Sequence, residues 1–449
     1  MDFTRRDFIR TAAVAGAGAL LTSPAWGDEP QAAAPAGRPI NAAFIGIGSQ
    51  GRNLLNNALK IPGIQFKAIC DIWPYSQKFA SGILKKYGQI VNVYSDYADM
   101  LAKEKDVECV IVATPDWMHA PCTNAALKAG KHVYCEKEMA HTVEAAKSMV
   151  TTARETGQLL QIGHQRRSEP MYFHALHNMI EKENFCGRIT SINGQWNRNQ
   201  MLERDWGKKY EMSAEDLAKY GYGSMDELCN WRWYRKYSGG PMADLGSHQV
   251  DVYSWFLHTN PSAVTASGGL DYYTEEKTGK KRDWYDNVMA IYEYHTPAGM
   301  VRAFYQVLNT TSQGGYFETF MGDQGTVTVS EDNTKATMFH EAAAKKHEWE
   351  DQSEVVEKAG KSEMSLKIGE TLTADGKKDP KAQAMLAESL KPPHQLHLEN
   401  FFNTVRDPKG SKLNCPPEVG FETTVAIMAT NQAVAERRTI DIPAEAYKV

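Results

Sequence analysis

The run Gly239-Gly240-Pro241-Met242-Ala243-Asp244-Leu245-Gly246-Ser247-His248-Gln249-Val250-Asp251 concentrates side chains that can do acid–base chemistry. Proline suits the first turn of a helix, and a regular helix from Pro241 would set Asp244, His248 and Asp251 at i, i+4 and i+7 on one face. An imidazole can accept a hydroxyl proton near neutral pH, and a carboxylate one turn away can orient it and raise its basicity. The plain alternative is a core histidine beside a capping aspartate. No metal centre is expected, because no further ligand accompanies these three residues and no Cys-x-x-Cys pair occurs.

A second set of residues suits a dinucleotide. In Gly46-Ile47-Gly48-Ser49-Gln50-Gly51 the first glycine permits a tight turn and the second lets backbone approach a pyrophosphate. The third lets helix pack on strand, and the helix that continues through Arg52 points its N-terminus at the phosphates. Asp71 follows Gly51 by twenty residues, at the end of a second apolar run, where a carboxylate can accept from both ribose hydroxyls. It would repel a 2′-phosphate, so the expected cofactor is NAD rather than NADP. Two further strand ends, Ala113-Thr114-Pro115-Asp116-Trp117-Met118-His119 and Tyr134-Cys135-Glu136-Lys137, should lie along the same cofactor. Gly46, Gly48, Ser49, Gln50, Gly51, Arg52, Asp71, Thr114, Pro115, His119 and Glu136 are therefore the expected cofactor residues, with Lys137 at the reacting edge.

These residues need a scaffold that delivers them to one place. Apolar runs at Ile40–Ile47, Ile64–Cys70, Val107–Thr114, His132–Cys135 and Leu159–Gly163 alternate with helical segments such as Thr123–Ala129 and Val143–Glu155. That rhythm predicts a Rossmann-type, doubly wound parallel sheet over residues 40–164, whose ligands lie at the carboxyl ends of the strands. From residue 165 to 449 the pattern changes to alternating and aromatic runs, at Ile189–Trp196, Ala263–Tyr273, Val288–His295, Met300–Leu308 and Tyr316–Ser330. An α+β domain with an open, mainly antiparallel sheet is expected there. Residues 341–390 are charged and poor in large apolar side chains, which suggests an exposed insertion, and helices are expected over His397–Val405 and Phe421–Arg437.

The remaining features bound the setting. Thr4-Arg5-Arg6-Asp7-Phe8-Ile9-Arg10, a short apolar run and Ala25-Trp26-Gly27 make residues 1–27 a twin-arginine signal, followed by an Ala/Pro-rich linker or arm over 28–39. Export in the folded state to the periplasm by the twin-arginine machinery is expected, with an uncleaved signal serving as anchor the alternative. An exported nicotinamide protein should hold its cofactor tightly and regenerate it in place. A net charge of −5 argues against nucleic acid. Seven cysteines, an odd number, read as structural thiols rather than a disulfide framework.

The glycine loop, the Ala-Thr-Pro-x-x-x-His strand end at 113–119, the Glu136-Lys137 pair and the 239–251 run together resemble the Gfo/Idh/MocA family, the glucose-fructose oxidoreductase and inositol dehydrogenase group. The chain departs from the family pattern in having Glu138 where proline usually follows the Glu-Lys pair. The resemblance implies oxidation of a secondary hydroxyl of a sugar or glycoside to a keto-sugar. Lys137 would hydrogen-bond the reacting oxygen, His248 would take its proton and Asp244 would orient His248. It also implies a sheet with one face over the cofactor and the other against a partner subunit in a homo-oligomer. Six of the ten tryptophans fall between residues 196 and 284, and aromatic faces stack on sugars. Arg166, Trp196, Arg198, Trp231 and Trp233 are accordingly the expected substrate residues. An NAD-dependent glycosidase working through transient oxidation and elimination, and a non-catalytic binding protein of the same fold, are the alternatives.

Overall fold

The computed structural model describes residues 37–199, 203–347, 349–350, 353–358, 361–367 and 386–449. The expected signal and most of the Ala/Pro-rich arm lie outside the described residues, as does much of the charged insertion. The first half is a six-stranded parallel sheet ordered β3-β2-β1-β4-β5-β6. The strands are β1 (Ile40–Ile45), β2 (Ile64–Cys70), β3 (Asn92–Tyr94), β4 (Cys109–Val112), β5 (His132–Cys135) and β6 (Leu160–Ile162). Their near-continuous apolar runs are buried because helices cover both faces, as parallel sheets require. The chain order reverses between β1 and β4, and a ligand crevice opens at that point. The sequence reading missed β3, a short edge strand of Asn-Val-Tyr with little burial to reveal it.

Helices α1 (Ser49–Ala58), α2 (Pro74–Lys86), α3 (Tyr97–Lys103), α4 (Asp116–Lys128) and α5 (Val143–Thr156) link these strands. The second half builds a ten-stranded sheet from β7 (Ile189–Asn197), β8 (Ala263–Gly269), β9 (Asn287–Thr296), β10 (Gly299–Leu308), β11 (Tyr316–Gly322), β12 (Gly325–Val329), β13 (Thr337–His340), β14 (Val355–Lys358), β15 (Lys361–Ser365) and β16 (Ile440–Asp441). Its order is β14-β15-β13-β12-β11-β7-β10-β9-β8-β16, antiparallel except where β7 meets β10. The run expected as one strand over Tyr316–Ser330 is the hairpin β11–β12. The expected insertion is partly structured, since β14 and β15 extend the sheet, although Val355 and Val356 of β14 stay exposed.

Strict alternation along β9 buries Val288, Ala290, Tyr292 and Tyr294 and leaves Met289 and Ile291 outside. Helices α6 (Ser247–Leu257) and α8 (Pro417–Glu436) share the core of the buried face, where Tyr253, Phe256, Ala426 and Ile427 join those strand residues. Helix α7 (Pro393–Arg406) does otherwise. Its Leu398, Phe401, Phe402 and Val405 pack with Ile40, Phe44, Leu54 and Tyr134, so a helix from near the C-terminus completes the core around β1. All seven cysteines are free, six of them buried.

Candidate active site

Each glycine of the loop after β1 has a distinct physical reason. Gly46 has φ +88°, and a Cβ there would stand 2.7 Å from the backbone of Ala113 and Thr114. A Cβ on Gly51 would sit 2.1 Å from the Gly46 carbonyl, whereas one on Gly48 would meet nothing within 4 Å. Gly48 therefore faces open space at the N-terminus of α1, the opening a pyrophosphate needs. Nearby Thr114 Oγ1, just past the end of β4, is buried with no partner. These features fit a dinucleotide, held by the loop, α1 and the ends of β2 and β4.

Asp71 stands at the end of β2 as expected, with both oxygens engaged. Oδ2 accepts from Ile47 N at 2.6 Å and Oδ1 from Trp73 N at 2.8 Å, so the carboxylate also fixes the glycine loop. Burial raises its pKa against those bonds and the nearby Arg52 charge. Each oxygen keeps a lone pair for a ribose hydroxyl. Arg52 lies over Phe79 at 4.0 Å and Tyr75 at 4.9 Å. Ser49 opens α1, and Pro115 is the residue preceding α4. Gln50 donates to Glu136 Oε1 at 2.9 Å, and Glu136 Oε2 accepts from Lys137 N at 3.0 Å, which ties the loop to the end of β5. His119 is buried and spans the carbonyls of Glu138 (2.8 Å) and Thr114 (2.9 Å), so it braces two strand ends instead of facing a cofactor.

The strand ends also grip the second domain. Asp116 Oδ2 accepts from Gly239 N at 3.0 Å and Ser238 Oγ at 3.3 Å, and Lys137 Nζ donates to the carbonyl of Asp244. The peptide between Lys137 and Glu138 is cis, without proline. Glu138 is buried, accepts from Thr424 Oγ1 at 2.5 Å, and has its carboxyl pushed up to about 7 by burial.

The expected Asp244–His248 pair does not form. Met242–Gly246 is a π-helical turn leading into α6, and its wider winding takes Asp244 off the face that a regular i, i+4 spacing would share with His248. Asp244 accepts instead from Arg232 Nε at 2.9 Å and Arg198 at 3.0 Å, and despite burial these cations, with Lys137, hold its pKa well below the carboxylate range. His248 is buried, packs 5.3 Å from the Trp196 ring and leaves Nδ1 unpartnered. Burial, then the charges of Lys137 and Arg166, hold it well below its ordinary pKa, so it rests as a neutral imidazole. Its edge-on neighbour is His164, ring centres 6.4 Å apart, pushed down to about 4 by burial. Asp251 pairs with Arg167 at 2.9 Å.

Arg198, Arg232, Trp233, Tyr285 and Asn309 line a small cleft at Asp244. Arg198 and Trp233, both expected as substrate residues, are among the residues lining it. Trp196 stacks on Tyr316 at 4.7 Å beside His248, while Trp231 lies under the Arg232 guanidinium at 4.3 Å. Arg166 does not face the cleft. It is 1% exposed and ion-paired with Glu318 and Glu331, because a cation stacked among Trp196, Tyr172 and Tyr316 needs buried counter-charges.

Residues 204–212 were not anticipated as part of the site. Trp73 Nε1 donates to the Tyr210 carbonyl at 2.7 Å and the Tyr75 and Tyr210 rings lie 4.4 Å apart, so this second-domain segment straps across the end of β2 beside Asp71 and Arg52. Arg204 on the strap is brought down to about 10 by burial and by repulsion from Arg232 and Arg52. Arg204, Arg232 and Arg52 thus lie near enough to repel one another, although Asp244 balances Arg232. A contact between Trp73 and Tyr210 has no local sequence signal.

Residues 40–164 match the family model for an oxidoreductase family NAD-binding Rossmann fold, and 178–442 match the model for its C-terminal alpha/beta domain. Inositol 2-dehydrogenase of Salmonella typhimurium is 34% identical over 144 residues, 32% of this chain and 41% of that protein. A glycosyl hydrolase family 109 protein of Bacteroides fragilis is 28% identical over 208 residues, 42% of this chain and 48% of that one. The chain thus spans about half, or less, of the length of these curated relatives. Among solved structures, levoglucosan dehydrogenase in complex with NADH superimposes with a TM-score of 0.64 at 19% identity, covering 90% of this chain and 100% of that one, which establishes the shared fold. With both domain models matched over most of its length, this chain belongs to the Gfo/Idh/MocA family of NAD-binding oxidoreductases.

Proposed function

We propose that the protein oxidises a secondary ring hydroxyl of a sugar or glycoside to a ketone, in the periplasm after twin-arginine export, with its NAD retained between turnovers. The observation that carries this reading is the meeting of Lys137, at the carboxyl end of β5, with the Asp244 carbonyl and the neutral His248 beside a cleft of arginine and aromatic side chains. NAD supplies the hydride acceptor. His248 takes the hydroxyl proton, Lys137 hydrogen-bonds the reacting oxygen, and Asp244 holds Arg198 and Arg232 in the cleft wall where sugar hydroxyls can accept from them. The names of the similar inositol and levoglucosan dehydrogenases support a sugar or polyol substrate. The strap at 204–212 supports retention of the cofactor, and the open face of β9, with Met289 and Ile291 exposed, supports pairing with a second copy.

Similarity to glycosyl hydrolase family 109 proteins favours a second reading on the same chemistry. The transient ketone acidifies a neighbouring C–H, the aglycone leaves by elimination, water adds, and the hydride returns to the same carbon. Glycosides deuterated at single ring carbons separate the two. A primary isotope effect at one position is expected in both, with the label left on the nicotinamide for a dehydrogenase and returned to its carbon for redox-neutral cleavage. Protein purified without added nucleotide should release close to one NAD or NADH per chain on denaturation. Cofactor-loaded protein that transfers no label from any sugar or cyclitol would overturn the carbohydrate reading.

A further inference from the structure

Away from the cleft, His340 at the end of β13 and His347 and Glu350 in the segment after it come together, one ligand atom from each lying within 4.8 Å of the others. We infer that this trio binds a divalent transition metal of the zinc class and fastens the charged insertion to the end of β13. Two imidazoles and a carboxylate are a donor set such ions take readily. His340 Nδ1 lies 3.6 Å from Glu350 Oε2 and His347 Nδ1 lies 3.5 Å from Glu183 Oε2. The His340–Glu350 separation is too long for a hydrogen bond, yet close to the edge, about 3.3 Å, of a tetrahedron with bonds of about 2.0–2.1 Å, whereas Glu183 is not one of the three ligands. The contrast lies on the surface of the same domain. There, His177 and His258 meet Glu181 at 2.6 and 2.8 Å, as ordinary histidine–carboxylate hydrogen bonds.

The trio is also held in place. Glu350 is buried and its Oε1 accepts from His347 N at 2.7 Å, which leaves Oε2 turned to His340. Phe185 and Trp349 stack on the His347 ring at 5.8 and 5.3 Å, and Phe185 also packs on His340 at 5.5 Å. Glu183 accepts from Trp349 Nε1 at 3.4 Å and stands behind His347, where metal-bound histidines commonly keep a carboxylate.

The test uses the full chain, stripped with a chelator and titrated with Zn²⁺ against a chromophoric competitor, and with Co²⁺ to read the visible absorption of tetrahedral coordination. One equivalent is expected per chain, with a tetrahedral Co²⁺ spectrum. His340→Ala, His347→Ala and the shape-preserving Glu350→Gln should weaken binding by about 100-fold or more, beyond the 10- to 100-fold typical of outer-shell changes. His258→Ala should bind as the parent does. A parent that binds no tighter than a His340→Ala/His347→Ala protein, or a Glu350→Gln protein with unchanged affinity and spectrum, would overturn the assignment.

Discussion

Asp244 changes meaning between sequence and structure, and the change can be measured. A catalytic pair would make the pKa of His248 depend on the Asp244 carboxylate. The observed contacts make the carboxylate a counter-charge for Arg198 and Arg232. Lys137→Ala and His248→Ala should each lower turnover about a hundredfold or more while the cofactor stays bound. Asp244→Asn should also impair turnover, but the His248 ring signals should follow the parent's across pH 5–8 by NMR titration; a His248 titration in that range in the parent that Asp244→Asn shifts to lower pH would restore the pair. Protonation also shapes stability. His397 donates from Nε2 to the Ile162 carbonyl at 2.9 Å and accepts at Nδ1 from Ser168 at 2.6 Å, and burial pushes it down to about 3. A histidine so depressed gives stability that is full above the unfolded value, about 6.5, and is lost as pH falls towards the folded value. Glu138, Glu169 and Glu318, pushed up by burial to about 7, 8 and 7, act with the opposite sign, because the folded state binds their protons first. Total acid stability therefore mixes signs, and a single variant is the clean probe. The decline in Tm between pH 6.5 and 4.5 should be shallower in His397→Gln than in the parent.

The glycine loop is the element on which sequence and structure agree most closely, and its three positions should fail differently. Gly51→Ala drives a Cβ into the Gly46 carbonyl, so a loss of about 1–3 kcal/mol by denaturant melt is expected. Gly48→Ala meets only open space, should change stability by no more than about 1 kcal/mol, and should still lose NAD on purification. Equal retention of NAD in Gly48→Ala and the parent would separate the loop from the pyrophosphate. Strand-end residues were legible because parallel sheets place ligands at one edge whatever the helices do. The π-turn at 242–246 was not, since hydrophobic spacing reports a period and not one widened turn. Arg166 was misjudged for a related reason. Adjacent arginines look alike in sequence, and only the fold shows that Glu318 and Glu331 claim one of them. Arg232 sits between Trp231 and Trp233 with no spacing of its own to mark it, and Tyr210 carries no signal at all.

Over the whole molecule, the large sheet divides a buried face from an open one, and the open face displays Met289 and Ile291, 41% and 45% exposed, on β9, a strand paired on both sides. A paired assembly would cover them. Met289→Lys/Ile291→Lys should dissociate such an assembly to single chains in sedimentation without unfolding it, since neither side chain belongs to the core; an unchanged sedimentation coefficient would move the interface elsewhere. Helix α7 sets a different constraint, one of timing. Its Leu398, Phe401, Phe402 and Val405 cover the strand that carries the glycine loop, yet they are synthesised some 350 residues after it. While the ribosome is still translating, the parallel sheet stands with that flank bare. The flank beside the glycine loop is completed only when the chain is nearly finished, so a C-terminal truncation before α7 should come off purification without NAD.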